Sequence, residues 1–273
     1  MGGHMRKKRI ICLAVVILLV LGVSTVYLCY ESKCVKFQDE YIERRTRELL
    51  GKKKILKIDM EKLTAFEIDT TFTHIMSLED LKKFPNLSTL EILFTVELRS
   101  EEERQDFKKL ASKSEKMHQR EQKMLADTLP KLENLKKIFL GSGVVFYDLA
   151  AFENCNQIEE LWISNNFVEN IDGMEGMKKL RILDLSNNSV QDISGLKEAE
   201  NLEGVCLTGT PVENLEVLLE LPSLKAVCYE TEKKEQKEIL QTLEEKGVIV
   251  DSDREKFAET MKQAGIDSIG DVR

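Results

Sequence analysis

Three consecutive stretches of the chain repeat one pattern at a spacing of 22 residues, and this period constrains the fold more than any other feature. Ile158, Leu161, Ile163, Asn166, Val168, Ile171, Met174 and Met177 recur as Leu180, Leu183, Leu185, Asn188, Val190, Ile193, Leu196 and Ala199. They recur again as Leu202, Val205, Leu207, Thr210, Val212, Leu215, Leu218 and Leu221. Weaker copies begin at Leu63, Leu87, Leu135 and Leu224, for seven turns in all. Leu183 and Leu185 alternate as inward residues of a short strand do, and Val190, Ile193 and Leu196 suit the returning side of the same turn. One such turn encloses no core by itself. The turns must stack, and the two ends of the stack need caps.

The best copy, LRILDLSNNSVQDISGLKEA at residues 180–199, resembles the leucine-rich repeat family, which is read from LxxLxLxxN at a period of about 20 to 29. Its 22-residue, internalin-like class is the most similar. The resemblance spans Leu63 to Tyr229 and implies an α/β repeat, a leucine-rich repeat solenoid with short parallel strands on its concave face. Asn166 and Asn188 fall at the sharp bend, where a buried amide can bond backbone groups that the bend leaves unpaired. Thr71, Thr95 and Gly143 hold that place in the weaker turns.

The flanks divide the remaining chain. Residues 1–5 read as an expression scar, 6–30 as a transmembrane anchor or signal peptide, and 31–62 as a helical stalk or N-terminal cap around Tyr41, Ile42, Leu49 and Leu50. The repeats occupy 63–230, interrupted by a helical insertion over 99–127 in which Phe107, Leu110, Met117 and Met124 share one face. That insertion is either a partner-binding arm or a helix packed on the outer side of the coil. Residues 231–273 form a C-terminal helical cap, with one helix from Lys233 to Lys246 stopped by Gly247. Another runs from near Ser252 to near Gly265, with Phe257 and Met261 a turn apart.

At the N-terminus, Arg6, Lys7, Lys8 and Arg9 precede an uncharged run of 21 residues, Ile10 to Tyr30. At ~1.5 Å per residue the run spans a hydrocarbon core of roughly 30 Å. The basic cluster places the N-terminus inside and the repeats outside, in a single-pass membrane protein of the cell surface. Gly22 and Ser24 leave a cleaved signal peptide, and hence a secreted protein, as the alternative. Cys34 follows the run, where it either bridges two chains of a homodimer or stays a free thiol.

Alternation places the residues that flank each inward leucine on the open face of the sheet. Phe139 and the single tryptophan, Trp162, lie side by side there, with Glu160, Ile182 and Asp184 around them, and these five are the candidate partner-binding residues. Either they form an exposed hot spot, or the insertion or a C-terminal helix folds over them and makes them core. Cys206 and Cys228 share a column of adjacent turns, ~4.8 Å apart, within the Cα range of a disulfide. Poor torsions between adjacent parallel strands favour two free thiols instead.

The chemistry classes narrow quickly. With Lys+Arg 40 against Asp+Glu 48, the net charge of -8 disfavours nucleic acid as a partner. His4, His74 and His118 are far apart, the six cysteines form no CxxC pair, and no metal or cofactor is expected. A phosphate loop, a GxSxG elbow and an HExxH pair are all missing from the sequence, so catalysis is not expected. The sequence points to a bacterial, exported binding module that recognises a protein or surface polymer through the concave face. Two alternatives are a self-associating structural protein of the envelope and an intracellular regulatory adaptor, the latter at odds with the apolar N-terminal run.

Overall fold

The computed structural model describes residues 33–69, 77–93, 115–141 and 146–268. The run at 6–30, the first part of the insertion, and the bend positions Thr71, Thr95 and Gly143 lie outside the described residues. Among the described residues no helix is long and apolar enough to cross a membrane.

Eight short strands lie in one parallel sheet in chain order: β1 (Ala65–Asp69), β2 (Thr89–Leu93), β3 (Lys137–Leu140), β4 (Glu160–Trp162), β5 (Ile182–Asp184), β6 (Gly204–Cys206), β7 (Ala226–Cys228) and β8 (Ile249–Asp251). The register follows the repeat, so that Leu161 pairs with Leu183, Leu183 with Val205 and Val205 with Val227. These four side chains point into the coil and are fully buried. The central strands return through turns of 3-10 helix on the convex side, for example Met174–Gly176 and Ser194–Glu198. There Ile193 and Leu196 close the core from the opposite wall.

The bend after each central strand depends on two adjacent positions. Asn165 and Asn187 adopt left-handed backbone, with φ of 57° and 53°, and Gly209 stands in the same column with φ of 72°. Asn and Gly are the residues that enter this region at least cost. The next residue supplies the bonds. Asn188 Nδ2 donates to the carbonyls of Ile163 (2.9 Å), Leu185 (2.9 Å) and Ser186 (3.2 Å), while its Oδ1 accepts from Val168 N (3.0 Å). Asn166 Nδ2 serves Leu140, Ile163 and Ser164 in the same way. Thr210 Oγ1 takes over part of the task, donating to Leu185 O at 2.9 Å.

At the N-terminal end, α1 (Glu40–Leu50) covers the first turns with the buried Ile42. Asp39 caps it, its Oδ1 accepting from Tyr41 N and Ile42 N, as an N-cap aspartate does. The buried Asp80 then accepts from Gln38 N (2.7 Å) and Asp39 N (2.8 Å), which fixes the cap to the first turn. Asp59 is held by Lys52 first, then by the Leu56 amide and by Lys62, and its carboxyl is lowered to about 2. A folded value below the ordinary ~3.9 stabilises the protein above that pH, and the contribution is lost as pH falls toward 2. Asp59→Asn is therefore expected to flatten the dependence of the unfolding midpoint on pH between about 4 and 2. An acid limb as steep as that of the parent protein would remove Asp59 from the account.

The 99–127 insertion leaves the sheet undisturbed, since Thr89 still pairs with Lys137 and Glu91 with Phe139 across it. Its described part belongs to α2 (Glu115–Thr128), which buries Leu125 and packs against the 3-10 turns at 79–83, 129–131 and 150–152. It therefore lies on the convex side. At the other end, α3 (Lys234–Glu245) packs against the 3-10 turn at 215–220 and leads through Gly247 into β8. This strand corrects the expected seven turns to eight. After β8 comes α4 (Phe257–Gln263), which does not close the end of the stack as a cap would; it crosses back over the concave face.

Candidate interaction face

The concave face falls into a half covered by the C-terminal segment and a more open half, on which Glu67, Glu91 and Phe139 are partly exposed while Thr89 and Lys137 are buried. On the covered side the sheet presents small or short residues, Gly204, Cys206, Ala226 and Cys228, next to Ile182. Phe257, Met261 and Ile266 of the C-terminal segment pack onto this floor and become buried with it. A side chain larger than hydrogen at position 204 would meet Met261, since a Cβ there would stand 3.3 Å from its sulfur. The low floor is therefore shaped to receive the helix.

Polar contacts pin both ends of the segment. Arg254 Nε donates to Ser186 Oγ (2.8 Å), and Nη2 donates to Ser164 Oγ (2.7 Å) and Asp184 Oδ2 (3.1 Å). Asp184 is buried and also accepts from Ser186 Oγ at 2.6 Å, so its charge is neutralised and its oxygens are satisfied. At the other end Ser268 Oγ donates to Glu160 Oε2 at 2.8 Å, and Glu160 also accepts from Trp162 Nε1 at 3.1 Å. Lys137 Nζ lies 3.7 Å from the same carboxylate and 5.3 Å from the centre of the Trp162 ring.

Glu160, Ile182 and Asp184 are thus not open to a partner in this state, because the C-terminal segment buries them to within 1%. Trp162 is half-buried at the margin, its ring centre 5.8 Å from that of Phe257. Phe139, one strand further toward the N-terminus, is likewise half-buried and pairs directly with Trp162 across the strands. The two aromatics border a groove of about 530 Å³ between the open half of the sheet and the segment, with Glu91 on the sheet side and Ala258, Lys262 and Ile266 opposite. That volume lies within the range that takes a small ligand or a few side chains of a partner.

Cys206 and Cys228 are free thiols, not a bridge. They face the covered floor with Thr208 between them, its Oγ1 at 3.2 Å from Cys228 Sγ and 3.9 Å from Cys206 Sγ. The Cys206 thiol is pushed up, first by its hydrogen bond to Cys228 and then by burial. Arg254 and Ser268, which fix the cover, went unrecognised in the sequence. The clue available was the run of small outward residues from position 204 to 228, too apolar to be left facing water.

Residues 148–198 match the family described as "Leucine Rich repeats (2 copies)", and the parallel sheet continues on both sides of that stretch, with the 22-residue spacing kept on its C-terminal side. That stretch carries leucine-rich repeats, and the fold around it is a leucine-rich repeat solenoid. Among solved structures, this repeat protein is similar to an internalin C2 from Listeria monocytogenes at 16% identity, with a TM-score of 0.52, over 78% of this chain and 83% of that one. An internalin from the same organism is 13% identical over 79% of this chain and 62% of that one, at a TM-score of 0.48. A leucine-rich repeat protein of Leptospira interrogans is 15% identical over 67% and 48%, at a TM-score of 0.41. At such identities the likeness is one of fold. No curated protein matches the sequence.

Proposed function

We propose that this leucine-rich repeat protein is a non-catalytic binding module that takes a protein partner on the open, N-terminal half of its concave face. The observation that carries this reading is the pair Phe139 and Trp162, half-exposed side by side at the edge of a groove. Aromatic side chains in a partly desolvated pocket are the usual anchors of protein interfaces. Solenoids offer their concave sheet as an extended surface for such contacts. The apolar run at 10–30 behind a basic cluster supports display outside a membrane, as a single-pass anchor or, if cleaved after Gly22 or Ser24, as a secreted module.

Phe139 offers the cleaner test, because Trp162 also supports the C-terminal segment through Phe257. Phe139→Ala is expected to weaken capture of a purified partner at least about thirtyfold, the loss typical of a hot spot near 2 kcal/mol. Its thermal midpoint should stay close to that of the parent. Equal capture by the two proteins, at equal stability, would remove Phe139 from the interface and the reading with it.

A further inference from the structure

Among the described residues, two apolar assemblies lie on opposite sides of the sheet. The main core runs inside the coil from Ile42 to Val248. The second lies on the concave side, where Ile182, Cys206, Ala226 and Cys228 meet Phe257, Met261 and Ile266, with Trp162 and Ala264 at its margin. The two share no buried residue. The segment after β8 extends no ladder of the sheet: the backbone amides of Lys256, Ala264, Gly265 and Ile266 bond to Asp253, Thr260, Lys262 and Met261, all within the segment. Among the described residues its contacts with the face are those of side chains, Arg254, Ser268 and the apolar residues between them.

We propose that residues 252–268 are a detachable cover, an occupant supplied by the chain itself, over a second binding floor on β4 to β7. The floor takes a short helix that presents one arginine followed by an aromatic three positions on and an aliphatic residue one turn later, as Arg254, Phe257 and Met261 do here. Ser164, Asp184 and Ser186 receive the guanidinium in a fixed fork, and the shallow residues at 204, 206, 226 and 228 receive the apolar side chains. A unit attached in this way opens by local unfolding while the stacked turns remain closed. The inference goes beyond the binding reading, since it holds whether or not the open half of the face takes a partner.

Three buried cysteines report the opening. Cys206 and Cys228 lie beneath the cover, whereas Cys155 is fully buried in the main core, which pushes its thiol up to about 12. The full chain is treated with N-ethylmaleimide under native conditions, and labelling is mapped by peptide mass. Cys206 and Cys228 are expected to label together, at least about tenfold faster than Cys155. Arg254→Gln should accelerate both by about tenfold or more, because it removes charge-assisted bonds, and Phe257→Ala should do the same. Cys155 should not change in either variant. An added peptide of residues 252–268 should then slow labelling of Cys206 in the Phe257→Ala protein, whereas the same peptide carrying Arg254→Gln should not. One common rate for the three cysteines, in the parent and in both variants, would mean that the cover opens only with the whole fold. Accelerated labelling that neither peptide slows would overturn the floor as a binding surface.

Discussion

A single methyl group at position 176 is expected to lower the thermal midpoint by about 6 to 12 °C. A Cβ on Gly176 would stand 1.5 Å from the carbonyl oxygen of Glu153 and 2.3 Å from its carbon. Those atoms are backbone of the neighbouring turn, so no rotamer change relieves the clash and the two turns must separate. Overpacking of this severity costs about 3 kcal/mol or more, and a chain of this size loses about 2 to 4 °C per kcal/mol. Gly51→Ala is the control. It places a methyl group on left-handed backbone, with φ of 62°, but nothing stands within 4 Å. Its cost is the left-handed conformation alone, about 1 to 2 kcal/mol. Comparable midpoints for the two variants, by calorimetry or circular dichroism, would show that the turns are not stacked this closely.

Asn188→Ala is expected to cost about 4 kcal/mol. The amide satisfies the carbonyls of Ile163, Leu185 and Ser186 and the amide of Val168 from a position only 6% exposed. Removing it leaves several buried backbone groups unpaired, at about 1 to 3 kcal/mol each before the bend relaxes. The next turn identifies the conservative replacement. Thr210 donates to Leu185 O and accepts from Asn188 N at 3.4 Å, so Asn188→Thr should restore roughly half of the loss. The measurement is the urea midpoint at constant slope, which isolates a change in stability from one in compactness. A threonine variant no better than the alanine one would contradict the proposed division of labour.

The stacked interior was legible in the sequence because it repeats. Every inward position from Leu161 to Val227 follows from one period, and the asparagines of the bend fall where that period places them. The eighth strand escaped because Ile249 to Asp251 has no LxxLxL pattern of its own; it follows a full α-helix, and only Gly247 and the apolar Val248-Ile249-Val250 announce it. The neighbouring column Asn165, Asn187 and Gly209 carried a legible signal for left-handed backbone that only the structure makes plain.

The concave face was half legible. Alternation identifies which side chains leave the sheet, but no period relates Arg254 to Ser164, 90 positions earlier. Where a helix outside the repeat docks depends on shape and on single polar contacts, and neither leaves a spacing to read. Glu160, Ile182 and Asp184 were therefore correctly placed on the face, while the helix that covers them was one of two open alternatives. The column of Cys206 and Cys228 and the pair Phe257 and Met261, a turn apart, were both legible, and their meeting was not.

Photo-crosslinking locates the interface that the proposed function sets on the concave face beside the groove. A photoreactive side chain is placed in turn at Glu91, which borders the groove, and at Lys197, in a 3-10 turn on the convex side. With partner present, a crosslinked complex is expected from position 91 and none from position 197. Crosslinking from position 197 alone would contradict that placement, because the partner would then be reading the outside of the coil.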